Sequence, residues 1–298
     1  MPAELCSRMT DGECREAVVF ISHTLSEPVL SRFRQLERET APEKDVFFAY
    51  DTTGVNAASR QTTRQLVGDG LRTFEVSQIV DTAYPDPWAD SGEKSIVPGN
   101  IDLLFIYFSK IEPSYSRYWF IEYDVAYTGP WSEVFQRFKQ STADLLGTTL
   151  TPYEHLPDWY WWPSFDPASE LDRSKWVRGF FPIIRLSTDA IELLDEGYRA
   201  GWTGHHEAVM PTLLHTKGLE IEDIGGTGYF VKSKNRNRFY TNTPDHPTLA
   251  PGSFVYRPAR PEPGRQSGTL WHPIKPNAGR LIGNIRLMKH RILKRLGF

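Results

Sequence analysis

The sequence predicts an α/β protein in which helices flank a mostly parallel, open sheet, followed by a basic C-terminal extension. Short apolar runs that suit buried strands alternate along the chain with amphipathic runs that suit helices. Several strand runs are apolar throughout, which is typical of strands covered on both faces of a parallel sheet. Polar residues such as His23 and Asp51 follow these runs. In an open α/β sheet, that edge is where ligands bind.

The first hundred residues begin with a predicted βαβ unit. A strand over residues 17–21 leads into a helix over 28–39, and a strand over 45–51 follows. After a polar stretch, residues 71–80 are predicted as a third strand. Residues 81–99, which are rich in Pro, Asp and Gly, are predicted as a loop.

The same alternation continues through the rest of the chain. The apolar run over 101–108 suits either a strand or a buried helix. Strands are then predicted over 118–125, 179–187 and 219–224, and helices near 132–139, over 188–200 and after His206. The last strand alternates polar and apolar residues, which predicts one solvated face. Residues 232–276 are predicted as Pro-rich, basic loops.

We divide the chain into a loose N-terminal segment (1–16), one α/β domain (17–276) and a basic amphipathic C-terminal helix (277–298). The apolar fraction of 40% is ample for one buried core. Because the N-terminus lacks the apolar centre of a signal peptide and no run is long enough to span a bilayer, we expect a cytoplasmic protein. Cys6 and Cys14 lack the partners that a zinc site needs.

Charge is distributed unevenly along the chain. Residues 229–298 contain 14 Lys or Arg but only two acids, Asp245 and Glu262, although the whole chain has a formal net charge of −3. Such a basic quarter predicts an anionic partner, either the phosphates of a small ligand or a lipid surface. Nucleic acid is not expected as a partner, because the chain has neither a zinc-finger spacing nor an RNA-binding aromatic signature.

The predicted C-terminal helix is both basic and amphipathic. Six Lys or Arg occur from Arg280 to Arg295 without an acid. The apolar residues that share one helical stripe are Leu281, Ile285, Met288, Ile292 and Leu296. This pattern predicts peripheral attachment to an anionic membrane surface, at the inner face of the cytoplasmic membrane. A helix that packs on the acidic body of the protein is the alternative.

Two carboxylates stand at the end of the predicted strand over 118–125. Because side chains two apart on a strand point to the same face, Glu122 and Asp124 are predicted to form a pair. Paired carboxylates suit a hard divalent cation such as Mg²⁺ or Mn²⁺, which can also contact phosphates. A simple cap on the following turn is the alternative interpretation.

The chain lacks the glycine-rich loops that usually cradle phosphates. It contains neither G-x-G-x-x-G after the first strand nor G-x-x-x-x-G-K-[ST]. This absence argues against dinucleotide-dependent oxidoreductases and P-loop NTPases. A diphosphate can still be bound if a cation on Glu122 and Asp124 and the basic C-terminal quarter neutralise it.

Two further stretches contain candidate functional residues. Four consecutive aromatic residues at 159–162 lie between prolines, and they fit either a buried core or a surface platform for sugar rings. We take Trp161, Trp162 and Trp202 as candidate acceptor contacts. Glu207 precedes an apolar helical run, so it is predicted at a helix N-terminus, where it either faces the ligand crevice or only caps the helix.

Three motifs together resemble the GT-A-fold glycosyltransferases, which use nucleotide-sugar donors. They are Trp-Phe-Ile-Glu-Tyr-Asp-Val at 119–125, Tyr-Thr-Gly-Pro-Trp at 127–131 and His-His-Glu-Ala-Val-Met-Pro-Thr-Leu-Leu at 205–214. The chain is similar in particular to bacterial and fungal families with a Glu-Tyr-Asp-Val core. It resembles the branching N-acetylglucosaminyltransferases of animals more distantly. The resemblance covers roughly residues 17–229.

The resemblance implies an inverting enzyme that moves a sugar from a nucleotide-diphosphate donor to a hydroxyl of a glycan or lipid-linked acceptor, in surface polysaccharide or glycolipid synthesis. Glu122-x-Asp124 stands where the family has its metal-binding Asp-x-Asp, and Glu207 stands where inverting members have the general base. Glu replaces the first Asp, and some relatives use basic side chains in place of the metal. Both metal-dependent and metal-independent donor binding therefore stay open.

The other expected donor contacts follow from that resemblance. Asp51 is expected near the nucleoside, with the termination of its strand as the alternative role, and Lys232 and Lys275 are expected near the diphosphate. His272 is a candidate further metal or phosphate ligand, with a structural role as the alternative, and the expected cofactor is Mn²⁺ or Mg²⁺.

Two other functions fit the same residues. A metal-dependent hydrolase would use Asp124, His272 and either His205 or His206, and it would turn over its substrate without a nucleotide donor. A noncatalytic carbohydrate-binding protein would be built on the aromatic residues at 159–162, and it would not respond to nucleotide sugars.

Overall fold

A computed structural model of the chain describes residues 15–80, apart from 41 and 43, together with residues 84, 96 and 99–276. The strands within these residues are β1 (Glu16–Ser22), β2 (Asp45–Asp51), β3 (Leu71–Phe74), β4 (Arg117–Glu122), β5 (Ala126–Tyr127), β6 (Leu145–Pro152), β7 (Val177–Ser187), β8 (Ile221–Asp223) and β9 (Leu270–Trp271). The α-helices within them are α1 (Glu27–Thr40), α2 (Ala57–Val67), α3 (Val76–Val80), α4 (Asp102–Ile111), α5 (Trp131–Phe138), α6 (Thr188–Arg199) and α7 (His206–Thr216).

Seven of the strands form one sheet in the spatial order β3-β2-β1-β4-β7-β6-β8. Strand β7 runs antiparallel to its neighbours β4 and β6, and the other neighbouring pairs are parallel. Strands β5 and β9 form a separate antiparallel pair. The predicted fold class, a mostly parallel open sheet flanked by helices, is confirmed.

Apolar layers cover both faces of this sheet. In β1, Ala17, Val19 and Ile21 point to one face and Val18 and Phe20 to the other, because side chains alternate along a strand. Helices α4, α6 and α7 pack on the first face, and α1 and α5 pack on the second. Burial on both sides explains why the central strand runs are apolar throughout.

The ambiguous run at 101–108 is helical, and the predicted strand at 71–80 is partly helical. The run at 101–108 belongs to helix α4, which is apolar all round because it is enclosed in the core. The predicted strand at 71–80 is only half correct, since β3 ends at Phe74 and α3 follows. The hydroxyl of Thr53 accepts a hydrogen bond from the Val76 N–H at 2.9 Å, so the start of α3 is capped from a distant loop.

Besides α3, the sequence prediction lacked the short strands β5 and β9, strand β6 and helix α2. Strand β6 contains Gly and Thr, but its hydroxyls are satisfied inside the protein: Thr148 donates to the Phe180 carbonyl and Thr151 donates to the Thr149 carbonyl. Helix α2 has a weak apolar face with only Thr63 buried, and it is capped by Asn56, whose side chain accepts from the Ser59 N–H at 2.9 Å.

The predicted solvated face of the last strand is wrong. All three residues of β8 are buried, although β8 is the edge strand. The chain that follows β8 covers it, because Lys232 pairs with the Glu222 carboxylate at 2.8 Å and the Asn235 amide donates to the same carboxylate at 3.3 Å.

Residues 224–276, which we call the C-terminal strap, run mostly without regular structure to the end of β4. The strap is held by isolated bridges to itself and by the β5–β9 pair. Near its end, the Ile274 N–H donates to the Asp124 carbonyl at 2.8 Å. This contact brings the last described segment of the chain to the carboxyl edge of the sheet.

Several predictions lie outside the described residues. They concern most of the N-terminal segment with Cys6 and Cys14, nearly all of the loop at 81–99, and the amphipathic C-terminal helix at 277–298. Among the helices that are described, none combines the length and the apolar character needed to cross a bilayer.

A buried acid fastens the C-terminal strap to the sheet. The Tyr240 hydroxyl donates to the Asp223 carboxylate at 2.6 Å and accepts from the Thr149 N–H at 2.9 Å. The Leu150 and Gly225 N–H groups also donate to Asp223. Burial raises the pKa of Asp223 to about 7, although these hydrogen bonds lower it.

We predict that Tyr240→Phe lowers the free energy of unfolding by about 1–3 kcal/mol, because it leaves a buried acceptor and a buried donor without their partner. Urea unfolding measures the change. Tyr256→Phe is the matched control, because the Tyr256 side chain is 45% exposed and its loss should be nearly neutral. Equal effects of the two substitutions would contradict the role assigned to Tyr240.

Candidate active site at the carboxyl edge of the sheet

Three predicted site residues meet at the end of β4. Strand β4 ends at Glu122, and Asp124 lies in the turn after it, where the Val125 N–H donates to the Glu122 carbonyl at 3.0 Å. His272, which follows β9, places its Nε2 atom 3.5 Å from Asp124 Oδ1 and 4.0 Å from Glu122 Oε2. One ligand atom from each of the three lies within 4.8 Å of the others. The two carboxylates therefore meet through a turn and not through the face of a strand.

The strap orients His272 and adds a cation. The imidazole Nδ1 lies 2.8 Å from the Val255 carbonyl oxygen, which can only accept, so Nδ1 carries the proton. Nε2 consequently faces the two carboxylates, and the Phe180 and Phe254 rings pack against the imidazole. Lys275 places its Nζ atom 3.3 Å from Asp124 Oδ2.

The pKa values of the two carboxyl groups in this cluster are shifted in opposite directions. Burial disfavours the charged form of Asp124, but His272 and Lys275 outweigh burial and lower its pKa. For Glu122, burial and the charge of Asp124 raise the pKa, and His272 and Lys275 compensate only in part. The pKa of His272 is raised, because the Asp124 and Glu122 charges outweigh its burial. Asp124 is thus the ionised carboxylate of the cluster.

The cluster offers the ligand atoms of a divalent cation site, and one of its oxygens has no hydrogen-bond partner among the described residues. Oδ1 of Asp124 is buried and accepts no hydrogen bond, so a buried charged oxygen has an unused lone pair. Two carboxylates and one imidazole suit a hard or borderline cation. The hydrogen bond from His272 to the Val255 carbonyl is the kind of outer contact that fixes a metal-binding imidazole. Glu122, Asp124 and His272 would hold the ion.

Glu207 lies in the first turn of α7, as predicted. His205 precedes the helix, and its Nδ1 accepts from the Glu207 N–H at 3.3 Å. The Glu207 side chain is only 13% exposed. Burial and the charge of Glu122 raise its pKa to about 8, and the charge of Arg178 opposes this shift. Glu207 is thus close enough to the cluster to sense its charge, and it titrates near neutral pH.

Two residues that act electrostatically on Glu207 were not predicted to be near it. Arg178, the second residue of β7, is almost fully buried, and Tyr160 is about half exposed. Both interact electrostatically with the Glu207 carboxyl. Arg178 stands directly before the run predicted as a strand at 179–187, so nothing in the sequence placed it in the core. Tyr160 had no distinguishing signal either, since it is one of four consecutive aromatic residues.

The structure separates the three tryptophans proposed as acceptor contacts. Trp162 and Trp202 are core residues: both are buried, and both rings pack on Phe165. They form no surface platform. Trp161 is partly exposed and stacks on the His205 ring with centroids 4.4 Å apart. His205 also approaches Glu207, so one residue separates Trp161 from Glu207. Tyr160 is the exposed ring of the aromatic run.

The remaining predicted donor contacts do not join the cluster. Lys232 pairs with Glu220 and Glu222 at 2.8 Å, at the amino end of the parallel strands and so at the opposite edge of the sheet. The Asp51 carboxylate accepts from the Thr53 N–H at 2.8 Å, which is the turn-terminating role that competed with nucleoside binding.

His205 and His206 also stay outside the cluster. Their rings stack on each other with centroids 4.7 Å apart, and burial lowers the pKa of both residues. The ligand set imagined for a hydrolase, which paired one of them with Asp124 and His272, is not brought together among the described residues.

No family model and no curated protein matches the chain. Among solved structures, the chain resembles a 4-diphosphocytidyl-2C-methyl-D-erythritol synthase from Anaerococcus prevotii at 7% identity, with a TM-score of 0.41 over 75% of this chain and 92% of that one. It also resembles an active-site mutant of LgtC at 8% identity, with a TM-score of 0.42 over 70% and 72% of the two chains.

A third similar structure is core-mannan synthase A from Aspergillus fumigatus in its Mn/GDP form. The identity is 11% and the TM-score is 0.38, over 70% of this chain and 72% of that one.

The raised pKa of Glu207 predicts how stability depends on pH. A buried carboxyl with a pKa of about 8 contributes its full stabilisation to the fold below its ordinary pKa of 4.5. That contribution is lost as the pH rises through 8. We predict that Glu207→Gln has little effect on the free energy of unfolding at pH 4 and raises it by about 2–5 kcal/mol at pH 9. Urea unfolding across this range measures the difference.

Glu192→Gln is the control, because Glu192 lies on the exposed face of α6. A difference between the Glu207→Gln protein and the wild type that did not change with pH would contradict the burial of an ionisable Glu207.

Proposed function

We propose that the protein is a glycosyltransferase that moves a sugar from a nucleotide-diphosphate donor to a hydroxyl group, with inversion at the anomeric carbon. One observation carries the proposal: two carboxylates, an imidazole and a lysine meet at the end of β4, on the same edge of the sheet as the buried Glu207 carboxyl. This is the edge of the sheet at which open α/β proteins bind ligands. The motif resemblance supports the same class of enzyme.

The donor diphosphate is assigned to the cluster. Glu122, Asp124 and His272 would hold Mn²⁺ or Mg²⁺, and such an ion would supply positive charge to the diphosphate. Lys275 adds a positive charge on the same side, and its side chain is 46% exposed and therefore reachable by a ligand. Lys232 is removed from the donor contacts, because it is committed to two carboxylates at the other edge. Asp51 stays a proposal for the nucleoside.

Glu207 is assigned as the general base. It accepts the proton of the acceptor hydroxyl as that oxygen bonds to the anomeric carbon, and the bond from this carbon to the diphosphate oxygen breaks. A base with a pKa near the working pH is well matched to this step. The leaving diphosphate takes the electron pair, and Lys275 stabilises its charge.

The acceptor is assigned to the exposed side of Glu207. Tyr160 and Trp161 offer ring faces there for a sugar, and they replace the buried Trp162 and Trp202 in that role. We propose a glycan or lipid-linked acceptor in surface polysaccharide or glycolipid synthesis. Peripheral attachment to an anionic inner membrane surface rests on the basic sequence at 280–295.

Donor binding tests the proposal directly. We predict that one nucleoside diphosphate or nucleotide sugar with Mn²⁺ raises the melting temperature by about 5 °C or more when it is present at 100 times its Kd. Asp124→Asn and His272→Gln should abolish the part of this rise that requires Mn²⁺, whereas Asp189→Asn, at an exposed position in α6, should keep it. A panel in which no nucleotide shifts the wild type would contradict the donor assignment.

Turnover tests the base. We predict that Glu207→Gln reduces transfer at least about a hundredfold, because the amide cannot accept the proton, while the nucleotide-induced rise in melting temperature stays the same. A radiolabelled or mass-resolved transfer assay measures the rate. Transfer at the wild-type rate would remove Glu207 from the chemistry.

A further inference from the structure

Arg178 is the most deeply buried cation near the candidate active site. Its side chain is 2% exposed, and its register partner Thr151 places it at the carboxyl edge of the parallel strands. One terminal nitrogen donates to the Pro244 carbonyl at 3.0 Å, and the guanidinium carbon lies 5.3 Å from the centroid of the Trp159 ring. These contacts fix the guanidinium in one position.

The burial of Arg178 leaves a charge without a close partner. Among the described residues, no carboxylate lies within 4.0 Å of Arg178, and its Nε atom has no hydrogen-bond partner. Arg185, the other buried arginine of β7, is different, because it contacts Glu16 and three backbone carbonyls. A buried cation costs several kcal/mol of stability unless a charge compensates it. Arg178 therefore requires a compensating group in its surroundings.

Side-chain contacts connect Arg178 to Glu207. The Trp159 ring, against which the guanidinium rests, meets the His205 ring edge-on with centroids 6.1 Å apart. His205 Nδ1 lies 3.8 Å from Glu207 Oε2. Arg178 and Glu207 thus lie in one enclosed region, where water does little to screen their charges.

Among the groups that act on Glu207, Arg178 is the cation that compensates the carboxylate charge. Burial of His205 keeps that imidazole neutral, and Glu122, from the end of β4, is an acid. Tyr160, from the aromatic run, is a neutral phenol whose pKa is raised by burial and by Glu207. Asp245, the other acid that acts on Arg178, is exposed and therefore screened by solvent. Arg178 and Glu207 are each the strongest charge acting on the other.

We infer that Arg178 is a positioning residue: it supplies the countercharge that stabilises the ionised form of the Glu207 carboxylate, which is the form that accepts a proton. Arg178 touches neither donor nor acceptor in this assignment. Its separation from Glu207 leaves the carboxylate oxygens available to an acceptor hydroxyl, which a direct ion pair would occupy. The inference rests on the proposed role of Glu207, but the first test below does not need catalysis.

The first test is an infrared titration of the whole protein without ligands. The carboxylic acid band that is lost in Glu207→Gln identifies Glu207. We expect Arg178→Gln to raise the titration midpoint of this band by about one pH unit or more, and Arg178→Lys to restore it. If the midpoint in Arg178→Gln equals that of the wild type, the inference is overturned. Arg178→Met, which keeps the buried stem, provides the same test if the Gln variant does not fold.

The second test is the pH profile of transfer. In Arg178→Gln, the acidic limb of kcat/KM should move to higher pH by the same amount as the infrared midpoint, while the rate on the alkaline plateau is recovered. A purely structural role would lower the rate equally at every pH and would overturn the inference. Arg185→Lys is the matched control, because Arg185 is buried in the same strand but faces Glu16, and its acidic limb should stay in place.

The two tests separate this inference from the proposed function. If no nucleotide sugar supports transfer but the infrared midpoint moves, the proposed function fails and the countercharge stands. If transfer occurs but neither the infrared midpoint nor the acidic limb moves, the countercharge fails and the glycosyltransferase stands.

Discussion

The contact between the turn after β4 and the end of the C-terminal strap brings the residues of the candidate site together. Asp124 is almost fully buried, and a buried carboxylate is stable only if charge and hydrogen bonds compensate it. That compensation comes from His272 and Lys275, while the Ile274 N–H fastens the strap to the Asp124 carbonyl. The turn and the strap therefore stabilise each other, and neither forms the cluster alone.

Behind this contact, the strap itself depends on a second buried acid. Asp223 holds Tyr240 at the start of the strap, as Asp124 holds His272 and Lys275 near its end. The Pro-rich segment between them has little regular structure, so these two polar anchors, with the apolar side chains beneath the strap, determine its path. A segment that looks like a loop in sequence thus supplies two of the side chains of the cluster.

Electrostatics divides the acids of the cleft between two roles. Asp124 faces two cations and has a lowered pKa, which suits a permanent anion that binds a cation or positions a diphosphate. Glu207 is buried, has only a distant guanidinium for compensation, and has a pKa of about 8, which suits a group that gains and loses a proton. Environments that separate the pKa values of neighbouring carboxyl groups are a common basis for acid and base assignments.

The sequence alone determined the fold class and most of the elements, and it predicted Glu122, Asp124 and Glu207 as candidate site residues, because apolar periodicity and local motifs are properties of neighbouring residues. It also named His272 and Lys275 as candidates, but only the tertiary structure decided that they meet Asp124 and that Lys232 lies at the opposite edge. Burial separated Trp161 from Trp162 and Trp202, since periodicity cannot tell which ring of an aromatic run faces solvent. Arg178 and Tyr160 became candidates only through the fold, because their interaction with Glu207 depends on how β7 and the aromatic run pack around α7.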